Sequence, residues 1–250
     1  MTCPVHAYID MEFAGIYGTR QGIQIPIEIG VVLQNTDTGA LIFAGKPFIQ
    51  DIEVELWKNV LNDVGKRVGG QRRVFNLKTP QLSVPFDNKF HLDAVGHKKA
   101  RDAIRSVHAE LREFMCALNN QGICQIIFFA RQRELETFRH SRVNTEGFFI
   151  RDLQEEIKNT FALREHVSLD RVSLVIGFGI TRTTIRSNHF SYSIPDNYRY
   201  VIKPHKAIGD AARMMLADRE FHHYQEKLGK GLAEHLMQYE NGKNVENAVQ

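Results

Sequence analysis

Three runs rich in β-branched and aromatic residues, "HAYIDMEF" (6–13), "IPIEIGVVLQ" (25–34) and "ALIFAGKPFI" (40–49), succeed one another at the start of the chain. Only "GIYGTRQG" and "NTDTG" separate them, and their Gly, Asn and Asp residues favour turns. This spacing predicts three consecutive strands, paired as antiparallel neighbours. From residue 97 the pattern changes. In "HKKARDAIRSVHAELREFMCAL" (97–118), Ala100, Ile104, Val107, Leu111, Phe114 and Met115 recur at helical spacing, and Asn119, Asn120 and Gly122 end the helix. "CQIIFFA" then reads as a strand, "RELETFRH" as a helix, "GFFIRDL" as a strand and "LQEEIKNTF" as a helix. Strands first and alternation afterwards predict an α/β fold, a mixed sheet covered by helices. The segment 51–95 breaks the pattern: "LWKNVLND" starts helically, then gives way to Gly, Arg and Pro, and it reads as an irregular insertion.

A chain of 250 residues that is 43% hydrophobic and 24% charged has enough apolar surface for one sizeable core. Its formal net charge of +3 tolerates a polyanionic partner without requiring one. Cys3, Cys116 and Cys124 are odd in number and scattered, which points away from a disulfide framework or a Cys-rich zinc site and toward a reducing cytoplasm. The longest apolar stretches, "IIFFA" and "SLVIGFGI", are too short to span a bilayer, and the start of the chain lacks a leader pattern, so no membrane partner is expected.

Within the first strand, Asp10 and Glu12 share a face with Tyr8, while Ile9, Met11 and Phe13 take the other. Two carboxylates thus converge on one spot, either as the wet face of an amphipathic strand or as a site. Far along the chain, "KPHKAIGDAARMM" (203–215) starts a helix in which Ala207, Ala211 and Met214 form the apolar stripe. Asp210 sits at the edge of that stripe and needs compensation, from a metal ion or a nearby Lys or Arg. Tyr8, Phe13 and Tyr17 beside the acids are either core or a stacking platform for a base. "GKRVGGQRR" (65–73) reads as a basic, Gly-rich loop, and the adjacent His222 and His223 diverge on a helix and do not make a metal site.

The combination of D-x-E on a first strand with H-x(4)-D on a late helix resembles the DEDDh branch of the DnaQ-like 3′–5′ exonucleases. The resemblance extends over roughly residues 6–218 and includes "IEIGVV" and "FIRDLQ". It implies an RNase H-like fold and an exonuclease domain over 1–218, within which 51–95 reads as the insertion; the remainder, 219–250, reads as a C-terminal helical extension. It further implies a nuclease that hydrolyses phosphodiester bonds at the free 3′ ends of DNA or RNA with two divalent ions, Mg²⁺ or Mn²⁺. Carried over by position, Asp10, Glu12 and Asp210 are metal ligands and His205 is the general base. The family's middle Asp has no counterpart after "CQIIFFA"; Glu134 takes that place, with Phe138 four residues beyond, or else Glu136 does, preceded by Leu135. The alternative on the same fold is a nucleic-acid-binding or interaction module whose catalysis has decayed.

Such a residue set suits the chemistry. Phosphodiester hydrolysis needs an activated water and compensation for charge on the phosphoryl and leaving oxygens, which two ions on carboxylates supply together. A neutral imidazole can take the water's proton near neutral pH.

Overall fold

A computed structural model of the chain describes residues 4–16, 23–48, 53–61, 67–76, 90–92, 94–176, 182–186, 191–203 and 206–248. The three opening runs form β1 (Val5–Ile16), β2 (Ile23–Asn35) and β3 (Leu41–Pro47), successive antiparallel neighbours as the sequence predicts. Next come β4 (Glu53–Leu61), β5 (Arg67–Asn76), β6 (Phe90–Leu92) and the helix α1 (Ala94–Asn119). The strand–helix alternation follows as β7 (Ile123–Phe128), α2 (Gln132–Ser141), β8 (Phe149–Asp152) and α3 (Leu153–Thr160). The chain continues through α4 (Leu169–Val175), β9 (Arg182–Arg186), β10 (Ser191–Pro195), α5 (Ala207–His223) and α6 (Gln225–Ala248).

The main sheet has five strands in the order β3-β2-β1-β7-β8. Strands β1, β7 and β8 run parallel and β2 runs against β1, so the sheet is mixed. Alternation along β1 divides the core in two. Ala7, Ile9 and Met11 pack with Ile29, Val31, Val107, Leu111, Met115 and Phe138, against α1 and α2. Tyr8 packs on the other face with Leu153, Ile157, Val172, Ala211, Met215, Leu228 and Leu232, drawn from α3, α4, α5 and α6. The molecule is thus an α/β structure with helices on both faces of its sheet, and no helix among the described residues is long and apolar enough to cross a membrane.

Three expectations are corrected. The segment expected to start helically is strand β4, paired antiparallel with β5 from Glu53↔Asn76 to Leu61↔Arg67 and with β6 on its other side. Residues 67–73 accordingly belong to β5 and not to a basic loop; residues 65 and 66 lie outside the described residues. Helix α5 carries more than an apolar stripe, because every residue from Ala211 to Asp218 is buried between the sheet and the outer helices. It runs to His223, and α6 packs Leu228 and Leu232 into the same core. Cys124 is disulfide-bonded and Cys116 is a free, exposed thiol.

Candidate metal centre

The start of α5 lies almost in backbone contact with β2. A Cβ added at Gly30 would stand 2.1 Å from the Ile208 nitrogen and 2.2 Å from the Ala207 carbonyl carbon. Only glycine admits that approach. Gly209, the residue after Ile208, makes a second close approach, where a Cβ would stand 2.8 Å from the backbone nitrogen and oxygen of Lys203 before the helix. Gly30 is the register partner of Asp10, so seating α5 there sets Asp210 beside Asp10. Ligand-competent atoms of Asp10, Glu12 and Asp210 all lie within 4.8 Å of one another. All three side chains are partly buried. Glu12 pairs in register with Glu28, whose carboxylate meets Lys206 Nζ at 3.3 Å just before α5.

Burial is the main force lifting the Asp10 carboxyl well above the usual carboxylate range, and the negative charges of Asp210, Glu12 and Glu134 add to it. Arg213 offsets only part of that. The list of repelling groups includes Glu134, which sits in the first turn of α2 and is 8% exposed. Its Oε2 is buried with no hydrogen-bond partner among the described residues. Burial raises the Glu134 carboxyl to about 7, with its own backbone amide and Arg133 opposing and Asp152 reinforcing the rise. Glu136, by contrast, is exposed and pairs with Arg139 at 3.4 Å. Residues two apart on a helix point about 200° apart, so both cannot serve one site. His205 lies outside the described residues.

An oxygen-only donor set of this kind suits a hard cation such as Mg²⁺ or Mn²⁺ better than zinc or copper. A cleft of about 1200 Å³ runs past Arg131, Arg133, Glu134, Arg139, Asp152 and His166, so Glu134 lines it whereas Asp10, Glu12 and Asp210 do not. The Arg133 guanidinium covers the Phe13 ring at 5.4 Å, while Tyr8 is buried and donates its hydroxyl to Asp218 at 2.8 Å; Tyr8 is therefore core and not a stacking platform. Tyr17 lies outside the described residues.

Two residues around the site escaped the sequence reading. Asp152 caps α3 by accepting from the Gln154 and Glu155 amides. It also accepts from the Ala130 and Arg131 amides at 3.2 and 3.1 Å, holding the turn before α2 in which Ala130 has φ of 65°. The signal was present as Asp followed three residues later by Glu before a helix. Arg213 binds Asp210 at 2.7 Å, and its signal was the i, i+3 spacing. No family model, curated protein or solved structure matches the chain.

Proposed function

We propose that this chain is a metal-dependent 3′–5′ exonuclease on an RNase H-like fold, similar to the DEDDh branch of the DnaQ-like enzymes. The observation that carries the reading is the convergence of Asp10, Glu12 and Asp210 within 4.8 Å, with the buried, unpartnered Oε2 of Glu134 on the neighbouring helix. The order β3-β2-β1-β7-β8, with only β2 opposed to its neighbours β1 and β3, is compatible with that fold. The acids fit a divalent ion: the negative charges acting on Asp10 raise its carboxyl despite Arg213, and carboxylate oxygens are the donors that Mg²⁺ and Mn²⁺ favour.

In this reading Asp10, Glu12, Asp210 and Glu134 hold Mg²⁺ or Mn²⁺, which when bound supplies charge stabilisation for the phosphoryl group and activates water. His205 accepts the water's proton at a ring nitrogen. Arg131 and Arg133, exposed along the cleft, lie where phosphates of a DNA or RNA strand are accommodated. Glu134, not Glu136, replaces the middle Asp, because Glu136 is turned to solvent on an ion pair with Arg139.

One observation favours the alternative of a decayed nucleic-acid-binding module: the Arg213 ion pair stabilises Asp210 without any metal. End-labelled single-stranded DNA, single-stranded RNA and duplexes, incubated with Mg²⁺ or Mn²⁺ and resolved by length, separate the two. Shortening from the 3′ end that stops in chelator and in Asp10→Ala supports the enzyme. Salt-sensitive binding without cleavage supports the module, and undiminished cleavage in excess chelator overturns the metal-dependent reading.

A further inference from the structure

Among the described residues, the basic side chains that line the cleft along α2 are Arg131, Arg133, Arg139 and His166. Arg131 Nε stands 3.9 Å from Asp152, Arg139 pairs with Glu136 at 3.4 Å, and His166 meets Glu155 at 2.5 Å. Arg133 is exposed and has no ion pair among the described residues, although it feels the charge of adjoining Glu134. Its guanidinium lies over the Phe13 ring instead, 5.4 Å from the centroid. Phe13 packs against the core that faces α1 and α2, and in β1 it follows Glu12 across a register shift. The ring is therefore anchored. A guanidinium stacked on an aromatic face keeps its plane oriented while its N–H edge stays open to an oxyanion.

We infer that Arg133, braced by Phe13, is the residue of the cleft that grips a phosphodiester, and that the occupant is a nucleic-acid strand running past Glu134. This rests on the nuclease reading above and deepens it by naming the residue on which the strand is held. Glu134 is a second, independent mark of a ligand. It is 8% exposed, it lines the same cleft, and its Oε2 has no hydrogen-bond partner among the described residues. A guanidinium without an acid beside a carboxylate oxygen without a donor suits an anion that arrives with a cation, as a phosphodiester does with its divalent ion. An acidic peptide satisfies the guanidinium alone, which makes it the less favoured occupant. Arg139 and His166 reach an anion only by leaving their own acids, and Arg131 shares its charge with Asp152, so each adds less than Arg133.

The test reads binding and needs no turnover. The full chain, in chelator, is titrated into short fluorescein-labelled oligo-dT and oligo-U at several salt concentrations, and anisotropy gives Kd, with thermal melts to verify folding. Arg133→Gln should raise Kd roughly fivefold or more and reduce the slope of log K against log salt by about 0.7, the loss of one phosphate contact on a single strand. Phe13→Leu should raise Kd about twofold at an unchanged slope, because the charge stays while its support goes; Phe13→Tyr, which keeps the ring, should restore the affinity. Arg139→Gln should change Kd less than Arg133→Gln does. An unchanged Kd and slope in Arg133→Gln overturn the inference and leave the nuclease reading standing, as does an equal effect of Arg139→Gln, which reduces Arg133 to one surface charge among others. Oligo-glutamate that displaces oligo-dT at equal concentration overturns the phosphodiester assignment in favour of an acidic peptide. If neither oligonucleotide binds in chelator the inference falls, and if in addition neither is shortened with Mg²⁺ or Mn²⁺ the nuclease reading falls with it.

Discussion

Helix α5 presents two acids to the sheet eight residues apart, about 12 Å along its axis, and their surroundings differ in kind. Asp218, toward the C-terminal end, accepts from Tyr8 at 2.8 Å, from two Arg151 nitrogens at 2.8 and 3.1 Å, and lies 3.2 Å from His222 Nδ1. Burial pushes its carboxyl upward, but hydrogen bonds from His222, Arg151 and Tyr8, with the Arg151 charge, outweigh burial and leave it at about 2. Asp210, near the N-terminal end, shares one guanidinium with Asp170 and stands among Asp10 and Glu12. There the balance reverses, and Asp10 is driven well above the ordinary range. The same helix and sheet thus bury one carboxylate as a finished structural part and gather others with negative charge to spare. Such a surplus around Asp10 is what the proposed metal site would draw on.

Neutralising one acid at each end should split the two regions most widely. Asp218→Asn leaves the buried Arg151 with only Glu156 and should cost about 3–5 kcal/mol. Asp10→Asn in metal-free protein relieves repulsion and should stabilise, by about 1 kcal/mol, while abolishing cleavage. Urea unfolding in chelator reads both, and shifts of the same sign would erase the contrast.

The pH dependence in chelator should show the same opposition. Asp218, held at about 2, contributes stability that is present above its unfolded value and lost as pH falls through about 2. The loss amounts to about 2–3 kcal/mol. Glu134, raised from 4.5 to about 7, works the other way: the folded state holds its proton longer, so stability falls as pH climbs between those values. That decline is ~3 kcal/mol at most. Glu134→Gln should flatten it, and Glu136→Gln should not. His222, raised chiefly by its hydrogen bond to Asp218, adds stability present below its unfolded value and lost as pH rises through its folded one.

Backbone seating can be broken separately from charge. Gly30→Ala forces a methyl group against Ile208 and should cost about 1–3 kcal/mol by overpacking. It should also weaken Mn²⁺ binding, since Asp210 moves off Asp10, while the Asp218 network keeps its acid-pH behaviour. The smallest effect belongs to Asp152→Ala, which removes the α3 cap and the hold on Ala130 and Arg131, at a cost of about 0.5–2 kcal/mol. Mn²⁺ affinity should drop with it if Glu134 is a ligand, and an unchanged affinity would detach α2 from the site.

The elements that repeat on a simple period were readable from the chain. The period of two in β1 to β3 and the 3.6-residue period of α1 are written in side chains that face one core, so Val107, Leu111 and Met115 lie where the spacing puts them. Strand β4 misled because Leu56, Val60 and Leu61 fall at helical spacing, while pairing with β5 and β6 decides the backbone. Helix α5 was underestimated for a related reason. A helix covered on every side has no polar face, so its periodicity fades, and the buried Arg213 and Asp218 are fully accounted for only by adding their distant partners Asp170 and Arg151 to their local ones. The convergence of Asp10, Glu12 and Asp210 was expected from the family resemblance, but the means was not legible, since it depends on two glycines that let backbones touch.

With no room for a methyl group between Gly30 and the first turn of α5, that wall of the acid cluster is a fixed jaw. The start of α2 is held differently, through the Asp152 bonds to Ala130 and Arg131, and it borders an open cleft. A shift of that turn leaves the Gly30 seat untouched, so the spacing of Asp10 and Asp210 is set independently of α2.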